Sequence, residues 1–261
     1  MWAAAQGKTG ESKVNGAVKS LSRIRTVPSY QEVFNVIEAE ILARRLQPGD
    51  LIPTETELAE TLGVNRSTVR EGIRLLEQTG LVRREAGRRL YVSIPKHVEL
   101  AERMSRAMAL QQISFREYWE VQMVLEPLSA SLAASRIGAA TLAALEANVL
   151  ATEAAQRAGE TLVELDVEFH ALIAEAGGNR ALTLAREPIG LLVYPTVAPM
   201  MRRLKQAGPR LAAAHRAIFA AIRDRDGETA ETWMRRHIVD FRRGYELASL
   251  DMEKPVDLLT P

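Results

Sequence analysis

The sequence predicts a mostly α-helical protein, with an N-terminal winged helix-turn-helix followed by a C-terminal all-helical bundle. Three observations predict it. Ala, Leu and Arg dominate while aromatic residues make up only 5% of the 261 residues, a balance that favours helices over sheets. Apolar residues recur at threes and fours from Tyr30 onward and again through almost everything after Pro95. Only one stretch, LVRRE-AG-RRLYVSI, reads as two short strands around a turn, here at Ala86-Gly87. We divide the chain into a basic, disordered tail (1–26), a winged helix-turn-helix (27–95), an all-helical unit (96–249) and a frayed C-terminal tail (250–261).

The elements follow in order. Val33, Phe34, Ile37, Ile41 and Leu42 mark a first helix, stopped by Gln47-Pro48-Gly49-Asp50 because Pro cannot continue the ladder and Gly favours a turn. Thr54 and Glu57 have the spacing of a capping box, which predicts a short helix from Glu55 to Leu62, ended at Gly63. Asn65 or Ser67 can cap the next helix. That helix turns Val69, Ile73 and Leu76 inward and ends at Gly80. Beyond Pro95 the spacing predicts helices over 97–111, 114–136, 139–158, 161–176, 180–206, 208–224 and 227–249. The fifth contains Pro188, Pro195 and Pro199, so it must kink or split.

Composition narrows the function. A hydrophobic content of 47% supports a real core. The absence of cysteine excludes disulfides, thiolate zinc fingers and cysteine nucleophiles, and fits a reducing cytoplasm. The most apolar stretch, IGLLVYPTVAPMM (189–201), is too short for a bilayer and holds two prolines. The N-terminus lacks a continuous apolar signal core. We therefore expect a cytoplasmic protein with no membrane partner. The net charge of +1 hides segregation. Residues 31–60 carry two Arg against six Glu and one Asp, whereas residues 65–89 carry seven Arg against three Glu. A local positive surface is what phosphate binding requires.

That basic segment has the layout of a DNA reader. A helix entering the major groove needs a partner helix to set its angle and polar or basic side chains near its N-terminus. Arg66 and Arg70 lie one turn apart and can reach guanine edges or phosphates. Ser67 and Thr68 can donate to phosphate. The hairpin forms a wing tipped by Gly87, with Arg88 and Arg89 aimed at the backbone or minor groove. Residues 48–87, PGDLIPTETELAETLGVNRSTVREGIRLLEQTGLVRREAG, resemble the winged helix of the GntR family of bacterial transcription regulators. The resemblance implies base or phosphate contacts at Arg66, Arg70 and Gly87. Thr56 stands where many members carry Arg, and the wing reads Gly87-Arg88-Arg89 rather than G-R-G; both bear on the operator sequence.

A second pattern lies downstream. Three of the four histidines join one aspartate in a spaced set: Asp166 and His170 in LDVEFH, His215 in AAAHRAIFAAI and His237 in MRRHIVDF. Asp166 and His170 share a helix face about 6 Å apart along the axis. His215 and His237 cannot share a helix, because Asp224-Arg225-Asp226-Gly227 intervenes. They converge only if their helices pack as neighbours. Three neutral imidazoles and a carboxylate suit a divalent metal such as Zn, Ni, Mn or Fe. Isolated helical histidines are more often core or surface residues than ligands, so the joint pattern is what counts.

Residues 115–240 also resemble the all-helical effector domain, often called FCD, of the FadR-like branch. The resemblance rests on YWEVQMVLEPLSASLAA, LDVEFHALIAEAGGNRAL and HRAIFAAIRDRDGETAETWMRRHI. It implies that Asp166, His170, His215 and His237 hold a metal ion that closes a pocket for small organic acids. Gln122 stands where many members carry an effector-pairing Arg. A Gln can hydrogen-bond but cannot form a charge-assisted bidentate pair, so the effector is neutral, or relies on the metal alone, or the metal is structural. Asn179 matches a pocket-lining position and is equally a good helix cap.

These readings imply a ligand-responsive regulator, not an enzyme. It acts as a homodimer on a pseudo-palindromic double-stranded operator, with repression as the default. Two alternatives stay open: a metal-dependent hydrolase, since Asp with several His can activate water, and a metal-free regulator of acyl ligands.

Overall fold

The computed structural model describes residues 29–85, 89–95 and 97–256. The expected basic tail, the wing-tip residues Gly87 and Arg88, and the end of the C-terminal tail lie outside them. The chain divides at Pro95 into two compact units.

In the first unit, α1 (Ser29–Leu42), α2 (Glu55–Leu62) and α3 (Arg66–Thr79) precede strands β1 (Val82–Arg84) and β2 (Leu90–Val92). Each start signal in the sequence is used. Thr54 accepts from the Glu57 backbone and Glu57 reaches back to the Thr54 N–H, closing the capping box of α2. Asn65, not Ser67, caps α3, its Oδ1 accepting from Thr68 N at 2.8 Å. The inward stripe Val69, Ile73 and Leu76 is fully buried against Val33, Phe34 and Ile37 of α1. Leu42, expected inward, is exposed, because α1 ends there. Gly72 sets how closely α1 and α3 approach: a Cβ there would stand 2.7 Å from Val33 Cγ1 and 2.9 Å from Tyr30 O. The antiparallel hairpin pairs Val82 with Val92 and Arg84 with Leu90. A further bridge from Leu51 to Tyr91 lengthens its edge.

The second unit is helical: α4 (His97–Leu110), α5 (Phe115–Arg136), α6 (Ala139–Ala158), α7 (Val163–Ala176), α8 (Arg180–Gly190), α9 (Val193–Arg203), α10 (Ala207–Arg223) and α11 (Gly227–Leu247). The proline-rich segment does split, after Gly190, into α8 and α9. Helix α5 is the axis, packed along α11 and also touching α7 and α10. Pro127 removes one N–H from the interior of α5, and the Arg235 guanidinium reaches the freed Met123 carbonyl from α11. Small residues on α5, Ala130, Ala133 and Ala134, let Phe169, Ile173, Ile218, Phe219, Ile222 and Met234 close over it as the main core.

The turn between α10 and α11 fixes the pairing the histidines need. Arg225 takes a left-handed backbone (φ 61°) and donates to the Ala134 and Ile137 carbonyls at the end of α5. Asp226 then caps α11 by accepting from Thr229 N.

The C-terminal segment corrects an expectation. Residues 250–256 are not a frayed end. Met252 O and Lys254 O accept from the Arg116 and Phe115 N–H groups, and Val256 N donates to Ile113 O. Two open donors of the first turn of α5 are thereby satisfied, and Met252 is buried beside them. Nothing in the local sequence announces this, because the partners lie more than 130 positions away.

Candidate functional site

In the first unit the proposed reading residues sit at the start of α3. Arg66, Ser67 and Arg70 are exposed and Thr68 is half-buried. The Ser67 and Thr68 hydroxyls both donate to Asn65 Oδ1, so the cap orders them. Arg70 is held by Glu55 of α2, with Nε and Nη2 donating to Oε2 at 3.1 and 3.0 Å. The sequence reading missed Glu55, which also lies 4.0 Å from Arg84 on β1. Arg89 is exposed at the base of the wing.

The second unit gathers the four expected ligands. Asp166 and His170 come from α7, His215 from α10 and His237 from α11. Their ligating atoms all lie within 4.8 Å of one another, and all four residues are buried. Asp166 Oδ1 is 3.2 Å from His215 Nε2, 3.8 Å from His170 Nε2 and 3.9 Å from His237 Nε2. Donor atoms at about 2.1 Å from one ion stand roughly 3.0–3.4 Å apart; the Asp166–His215 separation and the 3.3 Å between the Nε2 atoms of His170 and His237 match this, and the other two are wider. Among the described residues, Asp166 Oδ1 and both His215 ring nitrogens have no well-formed hydrogen bond. Buried polar atoms left so are costly, and a cation would satisfy Oδ1 and Nε2 together. The donor set and the orphaned atoms fit a divalent metal.

Neighbours fix the rings. His215 stacks on Phe169, centroids 3.7 Å apart and planes 9° apart. His170 directs Nδ1 to Glu126 Oε2 at 2.8 Å, so Nδ1–H donates and Nε2 faces the cluster, 3.3 Å from His237 Nε2. Glu126 Oε1 accepts from Arg186 Nε at 2.8 Å. Glu126 is 1% and Arg186 3% exposed, so this is a buried ion pair standing directly behind a ligand. Gly190 makes room for it: a Cβ there would stand 3.2 Å from Arg186 Nη1. Neither Glu126 nor Arg186 was picked out in the sequence. Glu126 sits beside Pro127 in Leu125-Glu126-Pro127, and a carboxylate next to a helical proline on an apolar face was the available signal.

The charges are set by this packing. Burial pushes the Asp166 carboxyl up, but the close approach of His215 Nε2 and the charges of His170, His215 and His237 outweigh it and hold the group at about 2. Burial likewise opposes ionisation of Glu126, yet Arg186 and His170 hold it at about 2. Burial lowers His215. Burial, with the neighbouring His215 and His170, lowers His237 to about 3. Burial acts against the charge on His170 too, but Glu126 raises it overall. At neutral pH the site offers an anionic carboxylate at Asp166 and neutral imidazoles at His215 and His237, the forms that bind metal, while His170, raised by Glu126, would have to release its Nε2 proton to join them.

A cavity of about 720 Å3, its open mouth included, ends on this cluster. Asp166, His170, His237 and Gln122 are in its wall; His215 stands behind. Gln122 is 3% exposed and its Oε1 has no hydrogen-bond partner. Asn179 is not in this wall. It caps α8, its Oδ1 accepting from Leu182 N at 3.2 Å, so of its two expected roles the cap is the one occupied.

The comparisons agree with both halves. Residues 29–92 match the model of the bacterial regulatory proteins of the gntR family, and residues 117–240 match the FCD domain. The chain is a GntR-family transcriptional regulator with an FCD domain. The HTH-type transcriptional regulator LutR of Bacillus subtilis (strain 168) is 27% identical over 75% of this chain and 91% of its own length. The Glc operon transcriptional activator of Escherichia coli (strain K12) is 25% identical over 81% of this chain and 86% of its own. A solved GntR structure from Streptococcus agalactiae is 29% identical with a TM-score of 0.60, covering 82% of this chain and 99% of that one. Among the described residues no helix of this GntR-family regulator is long and apolar enough to cross a membrane.

Proposed function

We propose that this regulator binds a pseudo-palindromic operator as a homodimer and senses a small organic acid at a divalent metal held by Asp166, His170, His215 and His237. The observation that carries the reading is the convergence of those four buried ligands at the inner end of a cavity. A bound ion would supply the positive charge that an acid needs in a cavity whose floor residue, Gln122, is neutral. Zn, Ni, Mn and Fe all suit three imidazoles and a carboxylate.

Arg66 and Arg70 are our candidates for base or phosphate contact, with Ser67, Thr68 and Arg89 on phosphate; Gly87 and Arg88 complete the proposed wing. An exposed apolar stripe on α5, Val121, Val124 and Leu128, supports a homodimer, because such a row in water favours a partner. Operator DNA would set the place of work in the bacterial cytoplasm. Repression is the default direction we propose; of the relatives, the Glc operon protein is named an activator and the galactonate operon protein a repressor. An effector changes DNA affinity only if it binds the DNA-competent state and its alternative with different strength.

The test is selection of a binding sequence from random duplexes, followed by titration of that duplex with metal-loaded and chelator-treated protein. We expect specific binding that weakens steeply with salt and an effector response present only in the loaded protein. Sequence-independent binding, or an identical response after chelation, contradicts the proposal.

A further inference from the structure

The cavity has one polar end and an apolar body. Beyond Asp166, His170, His237 and Gln122, its wall is mostly apolar, with Val197, Met200, Met201, Leu204, Leu211 and Phe241, and carries two further neutral polar side chains, Tyr118 and Gln206. The charged residues on the wall away from the cluster are Arg210, Asp240 and Arg243. Arg210 and Asp240 neutralise each other in an ion pair, and Arg243 is exposed to water. A polyhydroxylated acid would leave its hydroxyls against thioethers and aliphatic carbons, at a cost for each donor that finds no partner. A second carboxylate would meet only Arg243, whose charge water already screens.

We infer that the effector is a monocarboxylate with an unbranched apolar tail, its carboxylate toward the cluster and its tail along Met200, Met201 and Leu204. This rests on the metal-and-acid reading above and adds the chemical class. Met201 and Leu204 also line a second groove, beside Gln156, Thr161, Lys205 and Gly208. These two half-buried side chains are therefore the partition between cavity and groove. The partition sets the longest tail the cavity accepts, which makes Met201 and Leu204 specificity-determining residues.

The experiment is isothermal titration of the full chain, metal-loaded and chelator-treated, with butyrate, hexanoate and octanoate, and with adipate and gluconate as acids matched to hexanoate in carbon number. Burial of each methylene tightens binding about fourfold, from roughly 0.8 kcal/mol per group, so hexanoate should bind about 15-fold tighter than butyrate. Adipate and gluconate should bind at least about tenfold more weakly than hexanoate, the loss expected for a charge or hydroxyls facing an apolar wall. Leu204→Ala, with Met201→Ala as a second variant should the first fold poorly, should move the preferred length toward octanoate with metal content unchanged.

A flat length series, or adipate or gluconate binding as tightly as hexanoate, overturns the inference. So does an unchanged length preference in a folded partition variant. If no acid binds a chain that elemental analysis shows to hold its ion, the inference fails while the metal reading stands. If the length series is the same in chelated protein, the metal reading fails while the apolar class stands.

Discussion

Arg66 and Arg70 stand in solvent within one turn of α3, whereas Asp166, His170, His215 and His237 are drawn from three helices and buried. The first region presents exposed side chains whose charge is met by water or, for Arg70, by Glu55 at the surface. It needs only a capped helix and a packed face behind it. The second must hold an anion and several imidazoles out of water, so Glu126 is paired with both Arg186 and His170 while Asp166 Oδ1 and the His215 ring nitrogens are left for a cation to satisfy. An exposed surface tolerates local change, whereas a buried site spreads its dependence to Glu126 behind His170, and through it to Arg186 and Gly190.

That contrast breaks first at Arg186. Arg186→Ala leaves Glu126 buried with half its partners, and removing one member of a buried pair costs about 3–5 kcal/mol. Denaturant unfolding should show a loss of that size for the second unit. A loss below about 1 kcal/mol would put the pair on the same footing as surface charges.

Acid attacks the same network. His237 is held down to about 3 from its ordinary 6.5, so the unfolded chain takes up that proton first as pH falls. The stability from neutral His237 is complete above about pH 6.5 and is lost toward pH 3. Glu126, held at about 2 from an ordinary 4.5, adds a loss between those values. His170 is raised and works oppositely, its contribution complete below 6.5 and fading above. His215 is lowered by burial as well and acts with His237, so metal-free protein should melt at a lower temperature at pH 5 than at pH 7; a flat or rising profile contradicts this.

Glu126→Gln keeps the shape but removes the charge behind His170. Metal affinity should fall about 10–100-fold, the usual range for such a supporting carboxylate, measured by chelator competition. On the exposed side, Arg66→Ala should cost about 1–3 kcal/mol of operator affinity if it makes a bidentate base contact, and less salt-sensitive binding if it contacts phosphate. Unchanged titrations would remove it from the reading set. The smallest expected effect is Asn65→Ala, about 0.5–2 kcal/mol from lost capping, seen in the melting of the first unit with metal binding unaffected.

Legibility follows the same division. In the first unit the capping box at Thr54, the cap at Asn65 and the stripe Val69, Ile73 and Leu76 are short-range signals, and each is used. In the second, the convergence of Asp166, His170, His215 and His237 was legible because histidine is rare in this chain and their spacing matched helices. Glu126 and Arg186 were not, because 60 positions separate them in sequence and only tertiary packing joins them. Glu55 was hidden for the same reason, 15 positions from Arg70. The clasp at residues 250–256 depends on backbone donors of α5, which carry no sequence signature at all.

The central claim is that four side chains hold one ion. Elemental analysis of protein purified without chelator, beside His215→Ala prepared identically, tests it most directly. The account predicts about one divalent metal per chain in the natural sequence and little in the variant. A natural chain free of metal after reconstitution, or a variant that keeps full occupancy, would contradict it.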